Sequence, residues 1–429
     1  MVKESEVISK VKAREILDSR GNPTIEVDVF TNFGHMGRAD APAGKSRGTY
    51  EAVEMRDGDY TRYKGLGVRN AIKIVNEIFN NMLSGQEVTS QRSIDYLMIE
   101  ADGTEDKSRY GGNTMVATSI AVAKAAANSI GIPLYKYLGG PNAYVIPVPM
   151  FLYICGGKLA ATDLDFQELS AMPVGAKNFS EALQMGSEVN HELGELLSKK
   201  YSKYSLNTGD EGTFSPPGLA DPAEGFEIIL KAIEECGYSD KFVLAMDAAA
   251  NSLFDRKTHK YNYRGKAIDK EDLMVEYENL AKSYPLKSIE DPFEENDFES
   301  TAELTKTLGI QIVGDDLFVT NIKRLRRGIE EGAGNAILFK INQIGTLTEA
   351  LDAARFATYN GYNIVVSERS AQTEDTWLAH ISVALNAGQL KNGAPVRGER
   401  VAQFNELLRI EEELGQQGKY AGKFYNKFL

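Results

Sequence analysis

The chain has little cysteine: Cys155 and Cys236 are its two thiols in 429 residues. Two are too few for a disulfide scaffold, so a reducing, cytoplasmic setting is expected. Histidine is scarce as well. His35, His191, His259 and His380 stand apart from every strand end identified below, so neither histidine catalysis nor a His/Cys zinc site is indicated. No apolar stretch approaches the roughly 18 residues of a membrane span; Val145–Cys155, among the most apolar, is far shorter. The opening Met1–Leu17 lacks the continuous apolar core of a signal peptide. There is no basic run. Lys and Arg number 48 against 61 Asp and Glu, a formal net charge of −13, which argues against nucleic acid or an anionic membrane as partner. An anionic ligand would have to be drawn by a few local cations or by a metal. No Ser/Pro-rich linker or low-complexity run divides the chain.

What is present divides by pattern. Thr24–Phe30 alternates, with Ile25, Val27 and Val29 on one face and Glu26 and Asp28 on the other, which predicts a half-buried antiparallel strand. Ala71–Leu83 carries one apolar stripe through Ile72, Ile74, Val75, Ile78 and Phe79, the mark of an amphipathic helix. Met115–Ile130 is Ala-rich and apolar nearly all round, which predicts a buried helix. Gly139, Gly140 and Pro141 then punctuate the chain. A small α+β domain is expected over residues 1–140 and a second domain over 141–429.

After Tyr144 short apolar runs recur, each ending in polar residues. Phe242–Met246 leads into Asp247, Leu286–Ile289 into Glu290 and Asp291, and Gln311–Gly314 into Asp315 and Asp316. Ala336–Phe339 leads into Lys340, Ile364–Val366 into Ser367, Glu368 and Arg369, and Gln389–Leu390 into Lys391. From Glu290 the strand ends step by 25, 25, 28 and 23 residues, about one βα unit each. Continuous apolar runs suit a parallel sheet covered on both faces. The class is α/β, and a (β/α) barrel gathers such strand ends at one mouth. A Rossmann fold is the rival, but no Gly-rich phosphate loop follows an early strand. Val401–Leu414 predicts a closing amphipathic packing helix.

Asp247, Glu290 and Asp315 would repel one another in one mouth unless a cation sat between them, and hard oxygen ligands select Mg²⁺, Mn²⁺ or Ca²⁺. The plainer alternative is that each caps a helix or pairs with Lys340 or Lys391. A lysine beside a divalent cation loses proton affinity and can act as a base; it can equally be a fixed cation for a substrate anion. Lys340 is assigned the base and Lys391 the anion contact, a choice that position alone does not make. Glu168 and Glu211 are either solvated loop charges or a general acid pair for a leaving hydroxyl. Gly44-Lys45-Ser46-Arg47-Gly48 is a glycine-flanked loop whose cations could close over an anion as a lid, residues 43–48.

The residues resemble those of the enolase family along nearly the whole chain. The matching segments include Ala13–Thr24, Glu51–Asp59, Asp102–Ser108, Asp165-Phe-Gln-Glu168, Gly209-Asp-Glu-Gly212 and Ser288–Phe293, followed by Gly314–Leu317, Lys340–Thr346 and Arg409–Gly415. The resemblance implies an enolase-type (β/α)8 barrel behind a smaller N-terminal α+β domain, and a homodimer or homo-octamer. It implies Mg²⁺ on Asp247, Glu290 and Asp315, with Ser46 resembling a loop ligand for a second ion. Lys340 would remove the proton α to a carboxylate, and Glu211, supported by Glu168, would protonate the leaving hydroxyl. Arg369, Ser370 and Lys391, with Gln167 beside them, would hold phosphate and carboxylate.

Departures from the family pattern cluster at the pocket. The loop S-G-A-S-T-G reads Ala43-Gly-Lys-Ser-Arg-Gly48, and Leu159 and Glu368 stand where the family carries histidines. The leading expectation is therefore a Mg²⁺-dependent paralogue refitted for a phosphorylated or phosphonylated carboxylic acid, similar to carboxyphosphonoenolpyruvate synthase. Glu368, Lys45 and Arg47 would contact the altered substrate. The alternatives are an ordinary enolase, making phosphoenolpyruvate and water from 2-phosphoglycerate, and a non-catalytic binding protein on the same scaffold.

Overall fold

The computed structural model describes residues 5–45, 48–160 and 162–422. The chain opens with strands Ile8–Leu17, Pro23–Thr31 and Met36–Asp40 in one antiparallel sheet. The central strand is the alternating segment. Its Ile25, Val27 and Val29 are buried. On the opposite face Arg14 bridges Glu26 and Asp28, and Arg38 Nε donates to Asp28 Oδ1 at 2.6 Å. One face builds core and the other an ion network, which is what the period of two demands.

The buried face is covered by the helix Gly112–Ser129, whose alanines keep its surface flat. Contact is at backbone distance. A Cβ on Gly37 would lie 2.1 Å from the Ala121 carbonyl oxygen and 2.2 Å from the Ala125 nitrogen, so only glycine fits. The stripe expected over Ala71–Leu83 is helical from Arg69 to Leu83, but its middle, Ile74–Phe79, winds as a π-helix. There Asn76 and Asn80 accept the N–H groups of Ala13 and Val11, occupying the edge of the first strand.

Eight strands close the barrel: Val148–Cys155, Glu168–Met172, Val243–Asp247, Leu286–Glu290, Gln311–Gly314, Ala336–Phe339, Asn363–Ser367 and Gly388–Lys391. Seven run the same way. Glu168–Met172 pairs antiparallel with both neighbours, so the uniformly parallel sheet expected from the apolar runs is corrected at this one strand. The reason is its connection. Val148–Cys155 joins Glu168–Met172 by residues 156–167 without an intervening helix, and a hairpin-type return reverses direction.

Alternation along the strands decides which residues face the barrel axis. Val148, Met150, Leu152, Met172, Ala245, Val313, Ala336, Leu338 and Val365 fill the interior. Met246, Ile289, Ile312, Ile337, Phe339 and Val366 point outward under the helices. Below the apolar filling Gln311 donates to Ser288 Oγ and Gln389 Oε1, and accepts from Gln389 and Asn363 at 2.8 Å. The same inward parity carries on to Asp247, Glu290, Asp315, Lys340 and Lys391 at the C-terminal mouth. The reversed strand brings its first residue, Glu168, to that mouth. The closing helix spans Gly398–Leu414. Among the described residues, no single helix is long and apolar enough to cross a membrane.

Candidate active site

At the barrel mouth one pocket is lined by Lys45, Gln167, Glu168, Glu211, Asp247, Asp315, Lys340, Glu368, Arg369, Ser370 and Lys391, together with Leu159. Ser46 and Arg47, singled out as metal and substrate contacts, lie outside the described residues. None of the four histidines lines this pocket.

Lys391 organises one side. Its ammonium lies 2.8 Å from Glu168 and Glu290 and 3.1 Å from Asp247. The sequence assigned it to a substrate anion; the structure engages it with three carboxylates of the barrel itself. Burial alone would lower the proton affinity of Lys391, but the three carboxylates outweigh it and push its pKa well up. Burial lifts the Glu168 carboxyl to about 8 against the pull of Lys391, with Glu211 and Asp247 adding to the rise. Gln167 Nε2 donates to Asp247 Oδ2 at 3.0 Å and the Ala249 N–H to Oδ1 at 2.8 Å, so Asp247 is fixed from both sides.

Lys340 organises the other. Its Nζ lies 2.6 Å from Asp315 Oδ2. Burial opposes its charged form, yet Asp315 wins and the pKa rises. The nearest charge here is a carboxylate; the lowered lysine expected from the sequence is that of a lysine beside a divalent cation. Gln343 Nε2 holds the other oxygen of Asp315 at 2.6 Å. The Thr320 hydroxyl donates to Gln343 Oε1 and accepts the backbone N–H of Lys340, both at 2.9 Å. Gln343 was not singled out from sequence; it lies three residues after the strand-end lysine, on the turn Ile341–Ile344 that packs back over the mouth.

Arg369 is met by Glu51 of the N-terminal part at 2.8 and 3.2 Å, with both side chains buried. Ser370 Oγ accepts the backbone N–H of Lys45 at 3.0 Å, and Lys45 Nζ lies 3.1 Å from Asp210. Glu211 is buried, and its Oε2 has no hydrogen-bond partner among the described residues.

Among the described residues, the acidic ligand atoms that come within 4.8 Å of one another belong to Asp291, Asp315 and Asp316, a set sharing only Asp315 with the sequence expectation. Asp291 is already engaged. Its two oxygens accept the N–H groups of Asp315 and Asp316, each at 2.8 Å. It holds φ +43°, left-handed for a non-glycine residue. Its backbone also bonds to Val313 and Ala250. Asp291 thus staples three adjacent strand ends together. Glu290, by contrast, keeps one buried oxygen, Oε1, without a hydrogen-bond partner among the described residues. An orphan carboxylate oxygen between Asp247 and the Asp315 strand suits a hard cation, so the oxygen donors of Asp247, Glu290 and Asp315 fit Mg²⁺.

Comparison with known proteins now bears on this pocket. The pattern described as "Enolase, N-terminal domain" matches residues 8–138, and that described as "Enolase, C-terminal TIM barrel domain" matches residues 143–428. The chain belongs to the enolase family. It is 55% identical over 421 residues to the enolase of Pyrococcus furiosus, covering 97% of each chain. It is 54% identical over 427 residues to that of Thermococcus gammatolerans, covering 98% of this chain and 99% of the relative. Against the enolase of Methanocaldococcus jannaschii it is 54% identical over 416 residues, 97% of each. The chain is an enzyme, a lyase of the enolase superfamily.

These full-length likenesses correct the leading sequence expectation. The substitutions at Leu159, Glu368 and the loop suggested a paralogue for phosphonate chemistry, but identity of this degree to proteins named enolase supports the ordinary enolase reading instead. The geometry gives the physical reason. Lys45, read as an extra cation for an extra substrate charge, is paired with Asp210. Glu368, read as a new substrate contact, is paired with the buried Arg400.

Proposed function

We propose that this protein converts 2-phosphoglycerate to phosphoenolpyruvate and water, with Lys340 as base and Glu211 as acid. The observation that carries the proposal is one polar pocket holding a strand-end lysine, a buried carboxylate with a free oxygen, and an arginine–serine pair. Lys340, whose ammonium form a bound divalent cation would disfavour, takes the proton from the carbon α to the substrate carboxylate on its neutral Nζ. The C–O bond to the hydroxyl breaks as the new C=C bond forms, and Glu211 supplies the proton that lets the hydroxyl leave as water. Glu168, beside Lys391, holds the acid side of the pocket in place. Arg369 and Ser370 grip the substrate's phosphate.

Asp247, Glu290 and Asp315 would hold Mg²⁺, with Ser46 as the contact for a second ion that the family resemblance implies. The ion would supply the positive charge that offsets charge developing on the substrate carboxylate. Lys391 balances the surrounding carboxylates. The same resemblance makes a dimer or octamer the expected assembly. The test is phosphoenolpyruvate formation from 2-phosphoglycerate with excess Mg²⁺ in the wild type and in Lys340→Ala. Turnover lost in the variant supports the reading; a wild type that binds Mg²⁺ yet makes no phosphoenolpyruvate ends it.

A further inference from the structure

We infer that Arg400 is the positioning residue of the turn carrying Glu368, Arg369 and Ser370, and that Glu368 is its buried counter-ion rather than a third carboxylate acting on substrate. The kinetic half of this inference rests on the enolase reading of the pocket; the stability half rests on the fold alone.

Arg400 stands in the first turn of the closing helix Gly398–Leu414 and is fully buried. Its guanidinium faces the turn after the seventh barrel strand and touches all three of its residues. Nη1 donates to the Arg369 carbonyl at 3.0 Å, Nη2 to the Ser370 carbonyl at 2.7 Å, and Nη1 also contacts the Glu368 carboxylate. The Arg400 carbonyl accepts from Asn392, the residue after Lys391, at 2.9 Å, and the Glu368 N–H donates to the Lys391 carbonyl at 3.1 Å. One residue, through its side chain and its backbone carbonyl, therefore ties the closing helix to two adjacent strand ends. Arg369 and Ser370 hold their side chains in the pocket only as well as their carbonyls are held behind it. The flat fork of an arginine can serve two carbonyls and a carboxylate at once; a lysine cannot.

A guanidinium with no exposure needs a compensating charge. Burial pulls the Arg400 pKa down to about 10, with Glu211, Asp210 and Glu168 opposing. Glu399 is within 3.5 Å of Nε but partly exposed, whereas Glu368 is buried and in contact.

The experiment is a double-mutant cycle in the full chain: Arg400→Met, Glu368→Leu and the pair together, with Glu368→Gln as the mild variant. Thermal unfolding and steady-state kinetics are read on each. Each cycle single should lower the unfolding midpoint, and the double should recover most of the loss, because half of a buried ion pair costs more than none. The double should raise KM for 2-phosphoglycerate about tenfold or more while kcat falls less. Glu368→Gln should follow the same pattern in milder form. Single losses that simply add in the double would overturn the pairing. So would a Glu368→Gln enzyme that loses kcat more than a hundredfold with KM and unfolding midpoint unchanged, since that marks a group acting on the reacting atoms. If the wild type makes no phosphoenolpyruvate, the enolase reading fails and the unfolding cycle alone still decides the pairing.

Discussion

Asp291 accepts the backbone N–H groups of Asp315 and Asp316 on its two carboxylate oxygens, each at 2.8 Å. A strand-end residue from the fourth barrel strand thereby fixes the end of the fifth. In Asp291→Asn one of the two acceptors becomes a donor and one N–H loses its partner. The expected outcome is a 10- to 100-fold weaker Mn²⁺ affinity, of order that seen for groups that orient metal ligands, measured by calorimetry. Asp247→Asn should weaken binding further, and Asp316→Asn least. If Asp316→Asn instead weakens binding as much as Asp247→Asn, the cation sits on the Asp291–Asp315–Asp316 cluster.

Gln343 holds Asp315 Oδ1 while Lys340 holds Oδ2. Gln343→Leu removes the amide, keeps the volume and leaves the Asp315 carboxylate held by Lys340 alone. We expect kcat to fall by about 10- to 100-fold with a small change in KM. An unchanged kcat would mean that Lys340 alone sets the carboxylate.

Gly37 is a packing prediction. Gly37→Ala places a methyl within 2.2 Å of helix backbone, which cannot be relieved by turning a side chain. The sheet and the helix Gly112–Ser129 must separate, at a cost of about 3 kcal/mol or more. Chemical denaturation should show it as a lower midpoint. A variant as stable as wild type would contradict the contact.

Acid lability has a named contributor. His380 at 3.1 Å, with Arg409 at 2.7 Å, pulls the Glu406 carboxyl down to about 2 against the opposing effect of burial. A depressed carboxylate adds stability above its unfolded pKa of about 4.3, and that stability is lost as pH falls towards 2. Allowing for solvent screening, Glu406→Gln should cost about 1 kcal/mol at pH 7 and almost nothing at pH 2. A cost independent of pH would assign the effect to packing.

Much of the barrel could be read in the sequence, because each strand is short, apolar and stopped by a polar residue. Asp247, Glu290, Asp315, Lys340 and Lys391 stood out for that reason. The reversed strand did not, since Glu168–Met172 is buried along its length and an apolar run carries no direction. Gln343 and Arg400 were also hidden. One lies in a turn and the other just before the helix expected over Val401–Leu414, and both act on partners distant in sequence. Glu51 was visible only as part of a matching segment; its partner Arg369 lies 318 residues away. Pairing also explains why the charges of Lys45 and Glu368 are no evidence for an altered substrate. Counted in sequence they are new charges in a pocket, but Asp210 and Arg400 neutralise them.

The central claim is tested most directly by following phosphoenolpyruvate formation from 2-phosphoglycerate with excess Mg²⁺, wild type beside Lys340→Ala. The account predicts ready turnover by the wild type and a loss of about 10²–10⁴-fold or more in the variant. A wild type that binds the metal and makes no phosphoenolpyruvate, or a Lys340→Ala enzyme that turns over normally, would contradict it.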